Sequence, residues 1–275
     1  MFDGIYQLPI AQLAALTAVV FVGAYWAGCI VLRPILRMFV RYRGSENAII
    51  GTVLSAFGVL YGLLLSLIAV AAYQNLSEVQ TEAAAEASAL LALYRDASEF
   101  PDPPRVELRT KLADYGKLIT DKEWPELRQG IIPLGSGPRL ASIRAGILDL
   151  NVTSRREELI QAEAIKHFEQ LSDHGRKRRY AAQAGIPAVM WYVVIVGTVI
   201  NFGLMWMFEM RFVTQLLLGG ALAFFLGALI LLIAVLERPY RSVEFGVSSD
   251  PYDMVNQVIE RDQRPAEIGG KSKEK

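Results

Sequence analysis

The sequence predicts an all-α membrane protein with four transmembrane helices and a polar helical domain between the second and third. Three observations carry this. Four apolar blocks are each long enough to cross a bilayer. The long segment between blocks two and three is polar and helically patterned. Hydrophobic residues make up 53% of the 275 residues, above the roughly 45–50% of a globular chain, and the excess is concentrated in the blocks.

Block one runs from Ile10 to Leu32 with no charge and one amide, Gln12. At about 1.5 Å per residue it spans a hydrocarbon layer of roughly 30 Å. "RPILRMFVRYRG" follows, with Arg33, Arg37, Arg41 and Arg43. The start, "MFDGIYQLP", has Asp3 and no Lys or Arg. With the length of the block, that reads as a retained helix rather than a cleaved signal. Block two is Ile49 to Tyr73. Block three, Ile186 to Phe208, opens with Pro187, suited to a first helical turn. Trp191, Tyr192 and Trp206 stand near its ends as interface anchors. Block four is Val213 to Leu236, and Glu237 and Arg238 follow it. Glu209 and Arg211 lie in the tight turn of a hairpin between blocks three and four.

The polar segment continues block two without Gly or Pro through "EVQTEAAAEASALLALYRDA". A second helix begins at "PRVELRT", "GSGPRL" is a break, and the stretch from Ala141 to Tyr180 reads as one or two amphipathic helices. From Arg261 the tail is polar and expected to be disordered. The expected division is 1–75 for spans one and two, 76–183 for the helical domain, 184–241 for the hairpin, and 242–275 for a partly disordered tail.

Four spans put both termini and the polar segment on one side. Counted charge does not choose the side, with Arg33, Arg37, Arg41, Arg43 and Arg211 on one and Arg176, Lys177, Arg178, Arg179, Arg238 and Arg241 on the other, while the first helix argues for the first group being cytoplasmic. The 28 basic and 28 acidic residues cancel, so no global field favours nucleic acid. The single cysteine, Cys29, excludes an intrachain disulfide. His167 and His174 have no cysteine partners at ligand spacing, and no metal site is expected. "GSGPRL" lacks the Lys and Ser/Thr of a phosphate loop, and no nucleophile elbow or zinc-protease motif occurs. Asp121 and Glu123 are paired acids of a kind common on polar helices. The chain is not expected to be an enzyme or to need a cofactor.

Block two carries the most information. With about 100° per residue, Gly51, Ser55, Gly58, Gly62, Ser66 and Ala69 gather on one side of the helix, while Leu54, Phe57, Tyr61, Leu64 and Ile68 gather on another. A small face lets helices approach. It serves packing within a bundle, or contact or a passage between copies around an axis. Bulky apolar rings can equally gate a pore by dewetting. The pore-lining candidates are therefore Phe57, Tyr61, Leu64 and Ile68, or Gly58, Gly62 and Ser66. Beyond the span, Glu78, Glu82 and Glu86 recur every fourth residue. This acidic row is either a solvated, arginine-paired face or a cation-attracting ring. Arg176, Lys177, Arg178 and Arg179 suit anionic headgroups or a positive vestibule. Asn201 is expected to bond to a neighbouring helix.

"YGLLLSLIAVAAYQN", "EAAAEASALLALYRDA", "LADYGKLITDKEWPEL" and "LLIAVLERPYRSVEFGVSSDPYDMV", in that order, resemble the bestrophin-like family of four-helix membrane proteins of bacteria and plants. The likeness covers about Leu54 to Val255. That family is similar to bestrophins, oligomeric and usually pentameric anion channels. The resemblance implies a cytoplasmic helical domain and cytoplasmic termini, a bacterial inner-membrane location, and a neck lined by the second helix. It does not extend to the acidic cluster of calcium-controlled bestrophins, since Glu237, Glu244, Asp250 and Asp253 are scattered.

The expected function is thus a homo-oligomeric channel for small anions such as chloride. Its partners are copies of itself, membrane lipids and small inorganic ions. Two other readings stay open: a non-conducting anchored scaffold or sensor, and a cation pore using Glu78, Glu82 and Glu86.

Overall fold

The computed structural model describes residues 9–39, 46–183, 185–241 and 246–263. Among them the chain forms nine α-helices and no strand: α1 Ile10–Phe39, α2 Glu46–Ser98, α3 Pro104–Leu118, α4 Trp124–Arg128, α5 Ser136–Leu148, α6 Arg155–Gln183, α7 Ala188–Trp206, α8 Phe212–Leu236 and α9 Asp250–Gln263. A π-helical turn, Ile119–Glu123, joins α3 to α4. Four helices, α1, α2, α7 and α8, are long and apolar enough to cross a membrane.

Two compact units share the chain. The first holds α1, α2 as far as Asn75, α7 and α8. The second holds the rest of α2, α3 to α6, Pro239–Arg241 and α9.

In the first unit α1 continues through Pro34 to Phe39, beyond the expected end of its apolar block. Arg33 is buried there and donates from Nη2 to the Met210 carbonyl at 2.8 Å. Asn47 exchanges two 3.0 Å bonds with the Glu209 backbone. The end of α1, the start of α2 and the α7–α8 turn therefore lie together. At the other end Trp191 Nε1 donates to Glu237 Oε2 at 3.1 Å, joining the start of α7 to the residue after α8. The helices thus alternate in direction, as four spans in sequence require. The core between them comprises Tyr25, Tyr61, Leu65, Ile68, Val194, Phe202, Trp206, Leu226 and Ile233 among others.

In the second unit α6 starts with a capping box. Ser154 Oγ accepts from the Glu157 N–H, and Glu157 Oε2 accepts from the N–H groups of Thr153 and Ser154. Those bonds hold the Glu157 carboxyl below its usual range, the Thr153 N–H foremost. The tail expectation needs correction. Residues 250–263 are helical, Arg261 included, with Tyr252, Val255 and Ile259 buried. Ser248 Oγ accepts from the Asp250 N–H, and Asp250 and Asp253 complement the positive end of the helix. The expected disorder beyond Gln263 lies outside the described residues.

Candidate functional site

α2 presents two different faces over its spanning part. Tyr61 is buried and donates to the Val194 carbonyl at 2.7 Å, with Thr198 Oγ1 at 2.8 Å. Gly197 makes this possible, because a Cβ there would overlap the Tyr61 ring. Ile68 is buried in the same core, while Phe57 and Leu64 are half-buried against it. Phe57 stacks on Tyr61 at 6.0 Å. The four bulky candidates thus turn toward their own protomer. Gly62 and Ser66 are exposed and Gly58 is half-buried. A Cβ at Gly58 or at Gly62 would meet nothing within 4 Å. On the same uncovered side Val59, Leu63, Leu67 and Val70 are exposed as well. Asn201 is buried and bonds to its own helix, at the Gly197 carbonyl, rather than to a neighbour.

The acidic row does not form one solvated stripe. Glu78 is exposed. Glu82 Oε2 lies 2.6 Å from His174 Nδ1. Glu86 is fully buried. The basic run divides in the same way, correcting its reading as one patch. Arg176 and Lys177 are exposed and paired with Asp173 at 2.6 and 2.9 Å. Arg179 is half-buried. Arg178 is wholly buried, and its Nε donates to Glu86 Oε2 at 2.6 Å. Successive helical residues point about 100° apart, so four consecutive cations cannot share one environment.

Arg178 lies at the centre of a sealed polar cluster. Its Nη2 donates to Glu123 Oε2 at 3.2 Å. The Tyr115 hydroxyl donates to Glu86 Oε1 at 2.8 Å. The guanidinium faces the rings of Trp124, at 5.5 Å, and Tyr252, at 5.8 Å. Trp124 in turn packs edge-on against Tyr240 and Tyr252 and donates to the Val247 carbonyl. Burial opposes the charge on Arg178, but Glu86 and the two tyrosines outweigh it and hold the guanidinium well above its ordinary range. Burial drives the tyrosine hydroxyls the same way. Tyr240 is pushed up to about 12 against the pull of Arg178, and burial likewise holds Tyr115 and Tyr252 well above the ordinary tyrosine range.

The cluster ties the extension of α2 to α3, α4, α6, α9 and the segment just after α8. Among the described residues it is the main feature that sequence reasoning missed. A signal was present: Glu86 stands alone among alanines and leucines on the packed side of α2, where a charge needs a partner.

This arrangement, four apolar helices plus a polar helical unit built on the continuation of the second, defines a four-span helical membrane protein of the bestrophin fold. The Bestrophin-like domain matches residues 19–252, and the chain belongs to the bestrophin-like family. Its fold is similar to that of two point variants of a bacterial bestrophin homologue from Klebsiella pneumoniae. One matches with a TM-score of 0.66 and 12% identity, over 91% of this chain and 99% of that one. The other matches with a TM-score of 0.64 and 12% identity, over 90% and 96%. A further structure, described as a membrane protein, matches with a TM-score of 0.63 and 14% identity, over 90% and 96%. No curated protein matches the sequence.

Proposed function

We propose that this chain assembles into a ring of identical protomers and conducts small anions such as chloride between them. One observation carries the reading: α2 leaves an uncharged face of small and aliphatic residues uncovered while its bulky face is packed against α7. The passage is then lined from that uncovered side, with Gly58, Gly62 and Ser66 on its flank, and not by Tyr61 or Ile68. An apolar constriction of this kind passes weakly hydrated ions and gates by dewetting. Membership of the bestrophin-like family supports the anion preference and a pentameric ring.

In this reading residues 76–183 are an extramembrane domain inserted between spans two and three. They lie with both termini on the cytoplasmic side of a bacterial inner membrane. The cation-pore alternative is weakened because Glu82 and Glu86 are engaged by His174 and Arg178, which leaves Glu78 alone exposed.

The test is purified protein in liposomes, with chloride and potassium flux measured side by side and the subunit number counted by native mass spectrometry. Chloride flux from a ring is expected. A monomer or dimer without flux supports a scaffold instead.

A further inference from the structure

The loop between α4 and α5 exposes three aliphatic side chains in a row of four residues. Ile131, Ile132 and Leu134 are 52%, 48% and 87% exposed. Arg128 and Arg139 flank them and are exposed too. No Asp or Glu occurs from Leu127 to Leu148. Glu126 lies just before that stretch, half-buried, its carbonyl accepting from the Ile131 N–H at 2.9 Å. Apolar tips bracketed by exposed arginines fit an anionic interface better than water.

The helix directions show where in its unit this loop lies. α6 runs back along α2: Glu82 pairs with His174, Asp96 with His167, and Glu99 with Arg156. α3 also returns along α2, with Arg109 on the Tyr94 hydroxyl and Tyr115 on Glu86. α5 departs again, since Gly135 sits by Leu118 and Lys111 Nζ reaches the Ser142 carbonyl. The loop therefore shares the end of the unit at which the chain enters at Leu76 and leaves after Gln183. Gly130, at the base of the loop, lies against the guanidinium of Arg241. Arg241 follows Leu236, the last residue of α8, by only five residues. Within its unit, the loop thus shares an end with Leu76, Gln183 and Arg241, where the chain enters or leaves.

We propose that Ile131, Ile132 and Leu134 dip into the surface of the bilayer that the spans cross, with Arg128 and Arg139 on anionic lipid phosphates. A lipid surface is favoured over a protein partner because the loop shares its end of the unit with the points where the chain continues into the spans and because exposed arginines flank its apolar tips. The proposal rests on the four spans and not on conduction, so an absence of ion flux leaves it intact.

The test uses the full chain carrying Leu134→Cys labelled with an environment-sensitive fluorophore, with the parent protein setting the background from buried Cys29. Leu148→Cys, at the far end of α5, is the reference. Both are reconstituted in phosphatidylcholine vesicles with and without phosphatidylglycerol. The label at 134 should be quenched by nitroxides on lipid chains, shielded from iodide, and drawn deeper by phosphatidylglycerol. The label at 148 should respond to iodide alone. R128Q/R139Q should remove the phosphatidylglycerol effect. Free access of iodide to the label at 134 overturns the proposal, and so does shielding from both quenchers, which is the mark of a protein contact. A phosphatidylglycerol effect that survives R128Q/R139Q overturns the role given to the arginines.

Discussion

Gly175 on α6 lies hard against the carboxylate of Glu86 on α2. A Cβ at position 175 would stand 2.8 Å from Oε1 and 3.0 Å from Cδ. The carboxylate cannot swing aside, because Arg178 and Tyr115 hold its two oxygens at 2.6 and 2.8 Å. Helix propensity alone makes Gly→Ala favourable by about 1 kcal/mol. Overpacking at a pinned group costs about 1–3 kcal/mol. Gly175→Ala is therefore expected to destabilise the protein, read as a lower melting temperature in detergent. A rise in melting temperature would show that the Glu86 site has slack.

The two halves of the basic run should behave oppositely. Arg178→Met strands Glu86 and Glu123 in a sealed site, a change that costs about 3–5 kcal/mol when a buried pair is broken. Arg176→Gln and Lys177→Gln remove exposed pairs to Asp173, which solvent and salt already screen, and should leave unfolding unchanged. Differential scanning fluorimetry on the three variants decides it. Equal shifts would contradict the buried placement of Arg178.

Much of this fold was legible in the sequence. The spans show as long uncharged blocks, and α2 shows as one helix because nothing between Gln74 and Ser98 breaks it. Helix α9 was legible in principle. Ser249, Asp250 and Pro251 form a helix start, and Tyr252, Val255 and Ile259 keep helical spacing. Its many polar residues made it look like a tail. The Glu86–Arg178–Glu123 cluster was not legible, because its members are 92 and 55 residues apart and local periodicity says nothing of such pairings. The two faces of α2 could be drawn from the sequence, but which of them packs within the protomer is seen only in the Tyr61–Gly197 contact.

Alkaline pH should loosen the polar unit. Tyr115, Tyr240 and Tyr252 keep their protons in the folded state above the ordinary 10.0, Tyr240 up to about 12. The unfolded chain loses those protons first, so stability is fully present below about pH 10 and falls as pH rises toward 12 and beyond. Each such group adds a slope of about 1.4 kcal/mol per pH unit within its window. Denaturant titrations across that range should show the decline, and Tyr240→Phe should lessen it between pH 10 and 12. A pH-independent midpoint would mean that the hydroxyls are not protected by burial.

The α2 faces give the sharpest functional test. Tyr61→Phe removes a hydroxyl that bonds to Val194 and Thr198 inside the protomer. It should lower stability by about 1 kcal/mol and leave single-channel conductance unaltered. Gly62→Trp puts an indole on the uncovered side, where a Cβ meets no atom of the same chain. The folded protomer should tolerate it. If that side faces the shared axis, each copy adds a ring to the passage, and chloride flux in liposomes should fall sharply while the melting temperature holds. Unchanged flux in Gly62→Trp, together with lost flux in Tyr61→Phe, would move the conduction path to the bulky face. Unchanged flux in both variants would remove α2 from the pore wall.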